Sequence, residues 1–216
     1  MRKKILLMCV LITICPEIIF ALDSLNIRCI GSWPYTFSRR VVSVGNICYL
    51  SVGGGLWIFD ISNPITPIKI SEFPLPTIVS DIIRKNQYLY LSHWGGGLSI
   101  IDISNPTSPT RLSYYNLKID LFQGSFAVAV DSNFAYLVCA DSLHILDITN
   151  PCQPIQISST PITSDDGWNV FIYQSRAYVC QFYRGFTIYD ISNPHSPVLL
   201  GEYLTTNYPG VFDIWV

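Results

Sequence analysis

The sequence predicts an all-β protein, a β-propeller of four-stranded antiparallel blades. Three observations support this fold class. The segment Asp-Ile-(Ser/Thr)-Asn-Pro-x-x-Pro occurs four times, and its aspartates lie 42, 45 and 43 residues apart. Short apolar runs flank each copy in the same order, and turn-forming residues separate these runs. A period of this length means one supersecondary unit per repeat, and a propeller blade is among the few candidates.

Four apolar runs in each repeat predict its four strands, because they are short, β-branched or aromatic, and end at turn residues. The innermost strand is predicted at Val41–Val44, Ile82–Ile83, Val128–Val130 and Val170–Ile172. The second strand is predicted at Cys48–Ser51, Leu89–Ser92, Ala135–Val138 and Ala177–Cys180. The third strand is predicted at Leu56–Phe59, Leu98–Ile101, Leu143–Leu146 and Phe186–Tyr189. The fourth strand follows the repeated segment, as in Ile68–Phe73 and Val198–Tyr203.

The repeated segment predicts the hairpin corner between the third and fourth strands. Proline fixes φ and lacks an amide hydrogen, so Asn-Pro-x-x-Pro cannot continue a strand ladder. The Asp and Ser/Thr side chains can accept amide hydrogen bonds within such a turn. The structural motif residues are Asp60, Asn63 and Pro64; Asp102, Asn105 and Pro106; Asp147, Asn150 and Pro151; and Asp190, Asn193 and Pro194.

Several of the predicted strands are apolar at consecutive positions, which indicates burial on both faces. The blades of a propeller are buried in this way, because each sheet packs between two neighbours. A single large sandwich predicts cleaner alternation and no regular period of this length. Glycine-rich or Asp-Ser turns between the second and third strands have hairpin chemistry. No helix is predicted, so Gly53–Gly55 and Gly95–Gly97 are interpreted as turns rather than phosphate loops.

The pattern Gly-Asn-x-x-Tyr-Leu…Gly-Gly-Leu-x-Ile-x-Asp-Ile-Ser-Asn-Pro-x-x-Pro resembles the LVIVD repeat. The first repeat carries it most completely, from Gly45 to Pro67. The second has Asn86 and Gln87 in place of the Gly-Asn pair. The resemblance covers about residues 26–216. It implies a β-propeller of the kind found in bacterial and archaeal exported or surface proteins, and it brings no general catalytic motif.

Residues 1–21 match a secretory signal. Met-Arg-Lys-Lys is followed by an apolar core of 11 residues, from Ile5 to Cys15, which is too short for a comfortable membrane span. Cleavage after Ala21 is expected, with an uncleaved anchor as the main rival. The sequence therefore predicts a secreted, periplasmic or cell-surface protein with no membrane contact after cleavage.

One repeat domain is predicted at 22–216, with blades at 38–76, 77–118, 119–163 and 164–208. Residues 26–37 resemble the outer strand of a further blade, and residues 209–216 resemble an innermost strand. These two strands do not neighbour each other in a blade, so they cannot complete one together. Propellers close with four to eight blades. We therefore expect an open arc or a fragment of a larger propeller, which a longer chain or self-association through the open blade edges would complete.

The charge balance excludes several partner classes. The chain has 13 basic and 15 acidic residues, and removal of residues 1–21 leaves 10 and 14, a net charge of −4. A weakly acidic chain without a Lys/Arg cluster gives no footprint for nucleic acid or anionic lipid. Five cysteines remain after the signal, and their spacing matches no zinc site. Cys48, Cys139 and Cys180 are predicted to act as small hydrophobic residues in strands, and Cys152 is predicted to be the most exposed thiol.

The predicted ligand site is the mouth of the central channel, where the innermost strands begin. Each second strand contains one tyrosine of the repeat, and these four repeat tyrosines are Tyr49, Tyr90, Tyr136 and Tyr178. Nine residues before them lie Arg40, Asp81, Ala127 and Asn169, and Asp213 is equivalent in the terminal strand. The functional interpretation is a polar ring for a cation or a polar ligand. The alternative interpretation, solvated strand ends, is favoured.

The loop Asp165-Asp166-Gly167-Trp168-Asn169 completes the candidate site, with Asp166, Trp168 and Asn169 as its candidate residues. Its oxygen ligands could suit calcium. An ordinary Asp-Gly turn is favoured, because the loop lacks the spacing of a calcium-binding loop. No metal or other cofactor is therefore expected. Trp168 could stack on a sugar or a peptide, although a core or rim position is favoured for it.

The leading functional interpretation is an exported propeller that binds a protein or glycan at the cell surface. His93, His144 and His195 occupy non-equivalent positions, and the sequence offers no catalytic set with a nucleophile and a base. The alternatives are a hydrolase or lyase at the channel mouth, which rests on analogy between folds, and an inactive fragment of a longer surface protein. The sequence favours a protein that is not an enzyme.

Overall fold

The computed structural model describes residues 38–117, 126–163, 167–205, 211 and 213. Those residues contain sixteen strands, which form four separate four-stranded sheets. The predictions for residues 1–21, 26–37, 165–166 and most of 209–216 lie outside the described residues. None of the described segments forms a helix with the length and apolar character that a membrane crossing requires.

Each sheet contains four consecutive strands in sequence order, and we call it a blade. Blade 1 contains β1 (Ser38–Val44), β2 (Ile47–Val52), β3 (Gly55–Asp60) and β4 (Ile68–Pro74). Blade 2 contains β5 (Val79–Lys85), β6 (Tyr88–His93), β7 (Gly97–Asp102) and β8 (Thr110–Asn116). Blade 3 contains β9 (Ala127–Asp131), β10 (Phe134–Val138), β11 (Ser142–Asp147) and β12 (Ile155–Pro161). Blade 4 contains β13 (Gly167–Tyr173), β14 (Arg176–Gln181), β15 (Gly185–Asp190) and β16 (Val198–Leu204).

The predicted strand pattern is confirmed in all four blades. Neighbouring strands are antiparallel, and the register between the third and fourth strands shifts at the same place in every blade. In blade 1 this shift falls between Ile58 and Phe59, just before the repeated corner. An irregularity at one place bends and twists the ladder locally, so each blade acquires the same shape.

The repeated segment forms the corner between the third and fourth strands, as predicted. In blade 1, Asp60 Oδ1 accepts a hydrogen bond from the Ser62 amide at 2.8 Å, and the three other motif aspartates accept the equivalent bond at the same distance. The motif asparagine acts in the same way, since Asn63 Oδ1 accepts from the Ile65 amide at 3.1 Å. These side chains replace the ladder partners that a proline-containing turn lacks.

The core lies between the blades rather than within one of them. Three apolar clusters fill the spaces between blades 1 and 2, blades 2 and 3, and blades 3 and 4. Blades 2 and 3 are therefore covered on both sides by neighbouring blades, which explains why β7 is buried at every position from Gly97 to Ile101. The four blades form an arc that is not closed, as the sequence predicted.

A hydrogen bond joins each of blades 1 to 3 to the corner of the next blade, and we call this contact the clasp. Ser71 Oγ on β4 donates to the Pro106 carbonyl oxygen at 2.7 Å. Ser113 on β8 and Ser158 on β12 donate at the same distance to Pro151 and Pro194. The equivalent position on β16 is occupied by Gly201, which has no hydroxyl. The repeated corner therefore also serves as an acceptor for the preceding blade.

The described cysteines differ from the prediction at two positions: Cys139 lies just after β10 rather than within a strand, and Cys48 differs in burial. Cys139 and Cys180 are buried, and Cys152 is exposed on the corner of blade 3. Cys48 is partly exposed, although the sequence predicted a buried position. Its equivalents in blades 2 to 4 are completely buried by the preceding blade. Among the described residues no such blade covers blade 1, which explains the difference.

Candidate ligand-binding face

The innermost strands β1, β5, β9 and β13 lie side by side in that order. The predicted mouth residues lie at or near the start of these strands: Arg40 on β1, Asp81 on β5, Ala127 on β9 and Asn169 on β13. The hairpins between second and third strands lie at the same end, because the first strand leads away from it and the second returns. We call this end of the arc the mouth face.

Asp81 links three blades at the mouth face. Its Oδ1 atom lies 3.1 Å from Nε of Arg40 in blade 1. The same oxygen accepts a hydrogen bond from the Ile82 amide at 2.9 Å. Oδ2 accepts from the Val128 amide of blade 3 at 3.2 Å. Arg40 remains 44% exposed and Asp81 17% exposed, so a ligand at the mouth could reach this pair.

Burial raises the pKa of the Asp81 carboxyl above its usual value. The Arg40 guanidinium and the two backbone amides oppose this rise, because they stabilise the charged form, and the carboxylate of Asp213 adds to it. Asp81 is therefore a carboxylate whose charge already has partners inside the protein. Such a group can orient a ligand through its remaining acceptor positions.

Asn169 and Asp213 form the second polar pair of the mouth. Asn169 Nδ2 donates to Asp213 Oδ1 at 2.9 Å, and Asn169 Oδ1 accepts from the Val170 amide at 2.8 Å. Asn169 accepts a hydrogen bond from the amide of the following residue, as Asp81 does from the Ile82 amide. The two side chains therefore have the same orientation in their blades. Ala127 brings no polar side chain, and the carboxylate of Asp81 reaches the backbone of that blade instead.

An aromatic row, which the sequence interpretation missed, lies on the same face. The row contains Trp94, Phe126, Trp168, Phe182 and Tyr183. Consecutive ring centroids along it are 5.4, 5.4, 5.0 and 4.5 Å apart. It runs from blade 2 across blade 3 to blade 4. Its first four members are partly exposed, and Tyr183 is exposed.

This aromatic row could have been identified from the sequence, when the four repeats are aligned on their second-strand tyrosines. Counted from those tyrosines, Trp94 and Phe182 are equivalent, and so are Phe126 and Trp168. Aromatic residues thus recur at the same two positions in different blades. Both positions lie next to turns at the mouth face. The sequence interpretation named Trp168 alone among these aromatic residues and compared the blades only at the polar position.

Gly167 sets the position of Trp168. Its amide donates to the Ala140 carbonyl oxygen at 2.9 Å. A Cβ atom at Gly167 would collide with the carbonyl oxygen of Cys139 and with the side chain of Ile162. Only glycine lets β13 approach blade 3 this closely, and the approach brings the Trp168 ring against Phe126. Asp166, the other candidate from this loop, lies outside the described residues.

The histidines do not contribute to the mouth. His93 is buried, lies 2.7 Å from Ser99 Oγ through its Nε2 atom, and packs edge-on against Tyr114. Burial lowers the pKa of His93 to about 4 and also lowers that of His144. Within the described ranges, no group of three or more His, Cys, Asp or Glu side chains is placed to hold a metal ion.

Comparison with solved structures shows the fold. The chain is similar to the periplasmic gluconolactonase PpgL of Pseudomonas aeruginosa, with a TM-score of 0.68 and 11% identity over 77% of this chain and 54% of that one. The computationally designed protein Ika8 gives 0.57 and 13% over 72% and 46%. The designed protein Ika4 gives 0.57 and 12% over 74% and 96%. The chain thus spans about half the length of two of these three proteins.

No curated protein is similar enough to this chain to match it. A family model described as "LVIVD repeat" matches four consecutive segments, at residues 38–73, 78–116, 125–160 and 166–205. Each segment matches one of the four blades to within two residues, and together they cover more than half of the sequence. The chain therefore belongs to the LVIVD repeat family.

Proposed function

We propose that this protein is an exported β-propeller that binds a protein or glycan ligand at its mouth face. One observation carries the proposal: the polar pairs at the starts of the inner strands and the aromatic row lie at the same end of the arc. Ligand sites combine apolar and aromatic surface with a few fixed polar groups. The mouth face brings both kinds of group together from all four blades.

The charges at the mouth favour binding over catalysis. Both carboxylate oxygens of Asp81 already contact Arg40 or backbone amides. These contacts hold the carboxylate as a fixed polar group, and its remaining acceptor positions can orient a ligand. The aromatic rings supply rigid apolar area that loses little conformational freedom on binding, which is why aromatic residues are enriched in binding surfaces. We therefore expect recognition without turnover.

Export rests on the cationic start and short apolar core of residues 1–21, together with a family whose members are typically exported. We expect the chain expressed in bacteria to appear outside the cytoplasm with residues 1–21 removed. Fractionation and mass determination of the mature N-terminus would test this. A chain that stays in the cytoplasm with Met1 retained would contradict it.

The binding test is a thermal-shift screen of the purified protein against separate panels of oligosaccharides and peptides. Any hit is then titrated against variants. Trp168→Ala should weaken binding at least about fivefold, because a buried aromatic anchor typically contributes more than about 1 kcal/mol. Asp81→Ala should also weaken binding, since it removes the brace between three blades. The panel that contains the hit separates a glycan ligand from a protein ligand.

Tyr173→Ala is the matched control, because Tyr173 and Trp168 lie at opposite ends of the same strand β13. Tyr173 is exposed at the end away from the mouth, so its replacement should leave affinity unchanged. Equal losses of affinity in the two variants would contradict binding at the mouth face.

A second candidate function is hydrolysis of a lactone. It is favoured by the similarity to a periplasmic gluconolactonase, although at 11% identity that similarity shows the fold alone. The assay is hydrolysis of gluconolactone with the same purified protein. We expect a rate equal to the uncatalysed reaction. Turnover that is lost in Asp81→Asn, but kept in Tyr173→Ala, would replace the binding proposal with this one.

A further inference from the structure

We propose that the ligand of the mouth face is an extended, proline-rich segment of polypeptide rather than a glycan. This inference rests on the proposed function, because it names the chemical class of the ligand that the same face binds. The contacts among the rings of the aromatic row distinguish the two classes of ligand, and the Arg40–Asp81 pair beside the row adds to the distinction.

The central rings of the row contact other rings on more than one side. Phe126 and Trp168 are nearly parallel, with an interplanar angle of 21° and centroids 5.4 Å apart. Parallel rings at this distance overlap with an offset, so each covers part of a face of the other. Phe182 lies 5.0 Å from Trp168 at an angle of 54°. The Trp168 ring therefore has one aromatic neighbour from blade 3 and another from its own blade.

The outer contacts of the row are edge-on. Trp94 meets Phe126 at 81°, and Phe182 meets Tyr183 at 83° with centroids 4.5 Å apart. In a contact of this kind the edge of one ring lies on the face of the other. Each contact along the row thus covers part of a ring face. A ligand at the mouth face therefore meets ring edges and the grooves between them.

This arrangement suits a polypeptide better than a sugar. A sugar ring stacks on an aromatic side chain through its broad apolar face, and it needs a ring face of similar size. Phe126, Trp168 and Phe182 share their faces with one another instead. The side chains of an extended peptide are narrower and can enter the grooves between rings. Domains that recognise polyproline II segments bind them in aromatic-lined grooves of this kind.

Proline fits these grooves better than other apolar residues. Its backbone has no N–H group, so its burial leaves no unsatisfied donor. A proline-rich segment already holds the polyproline II conformation before it binds, and it therefore loses little conformational freedom. Its carbonyl oxygens remain exposed along the segment. The edges of aromatic rings carry partial positive charge and attract such oxygens.

The Arg40–Asp81 pair supplies polar contacts beside the row. Asp81 Oδ2 accepts from the Val128 amide, two residues after Phe126, so the pair lies next to the rings. The contact with Asp81 uses Nε of Arg40, and the side chain of Arg40 is 44% exposed. A guanidinium has five N–H donors, so its terminal groups can donate to carbonyl oxygens. A proline-rich segment offers mainly such acceptors along its backbone, and this exposed donor therefore matches it.

The test uses an array of peptides of about ten residues, which span roughly 30 Å as polyproline II. Half of the peptides are proline-rich, and the other half lack proline but have the same apolar content. A second array contains neutral oligosaccharides. We expect the purified full chain to bind proline-rich peptides, and the tightest of these is then titrated by fluorescence anisotropy.

Three variants locate the contact. Tyr183→Ala should weaken peptide binding about fivefold or more, because it removes a ring from the row. Tyr183 is 52% exposed, so its replacement leaves the fold intact. Arg40→Lys should weaken binding roughly threefold, because it keeps the charge beside Asp81 but removes the guanidinium donors. Tyr173→Ala, at the opposite end of β13, is the matched control and should leave affinity unchanged.

The outcomes separate this inference from the proposed function. Binding to oligosaccharides alone, weakened in Trp168→Ala, would overturn the inference and leave binding at the mouth face standing. Equal binding to both halves of the peptide array would also overturn it, because proline would then play no part. An absence of binding to either array would overturn the proposed function as well. So would affinities that are equal in Tyr183→Ala, Trp168→Ala and the native sequence.

Discussion

His93 is the side chain at which stability should respond most clearly to pH. It is buried, and burial lowers its pKa to about 4 in the folded chain. The unfolded chain retains the ordinary value of about 6.5, so between these values the unfolded state binds the proton more readily. Stability is therefore fully present above about pH 6.5 and is lost as pH falls toward about 4. The loss is at most about 3 kcal/mol.

Urea unfolding of the native sequence and of His93→Gln, at about pH 7 and about pH 4, measures this effect. We expect the glutamine variant to lose less stability between the two conditions. His144 titrates in the same direction, because burial lowers its pKa too, so part of the loss should remain. His195→Gln, on an exposed corner, is the control and should behave like the native sequence. An unchanged pH dependence in His93→Gln would show that this imidazole is not responsible.

At the level of one strand and its neighbours, the contribution of the clasp to stability can be measured by comparing two adjacent serines. Ser158 and Ser159 are adjacent on β12, but only Ser158 donates to the Pro194 carbonyl oxygen, at 2.7 Å. Ser158→Ala should lower the free energy of unfolding by about 1 kcal/mol, because it removes a partly buried hydrogen bond between blades. Ser159→Ala, on the exposed side, should change it by less than about 0.5 kcal/mol. Equal effects in urea unfolding would mean that the clasp does not stabilise the contact.

The strands and corners could be predicted because their signals are local. Asp60 and the proline pair beside it act within a single turn, and the repeat itself aligns the four blades. The clasp could not be predicted in this way, since Ser113 and Pro151 are 38 residues apart in sequence and meet only after the blades stack. The pairing of Arg40 with Asp81 also joins residues of different blades, which meet only after the blades stack. The sequence shows that Arg40 and Asp81 occupy equivalent positions in their blades. Whether their side chains make contact depends on how far one blade is rotated from the next.

For the whole molecule, an arc of repeats is quasi-one-dimensional, because each blade contacts only its neighbours. Burial of a given position then depends on where its blade lies in the arc, which no single repeat encodes. Cys48 illustrates this, since the sequence predicted burial from its strand pattern and the structure leaves it partly exposed. The fold class could thus be predicted from periodicity. The distribution of exposed apolar surface needed the arrangement of the blades.

Two equivalent leucines test this dependence on position. Leu91 in blade 2 is buried between blades 1 and 2, and Leu50 occupies the same position in blade 1 but is partly exposed. Leu91→Ala should lower the free energy of unfolding by about 2–5 kcal/mol, because it leaves a cavity in a packed contact. Leu50→Ala should cost roughly 1 kcal/mol, since less apolar area leaves water there. Chemical denaturation checks both values. Equal costs for the two variants would mean that Leu50 is covered as fully as Leu91.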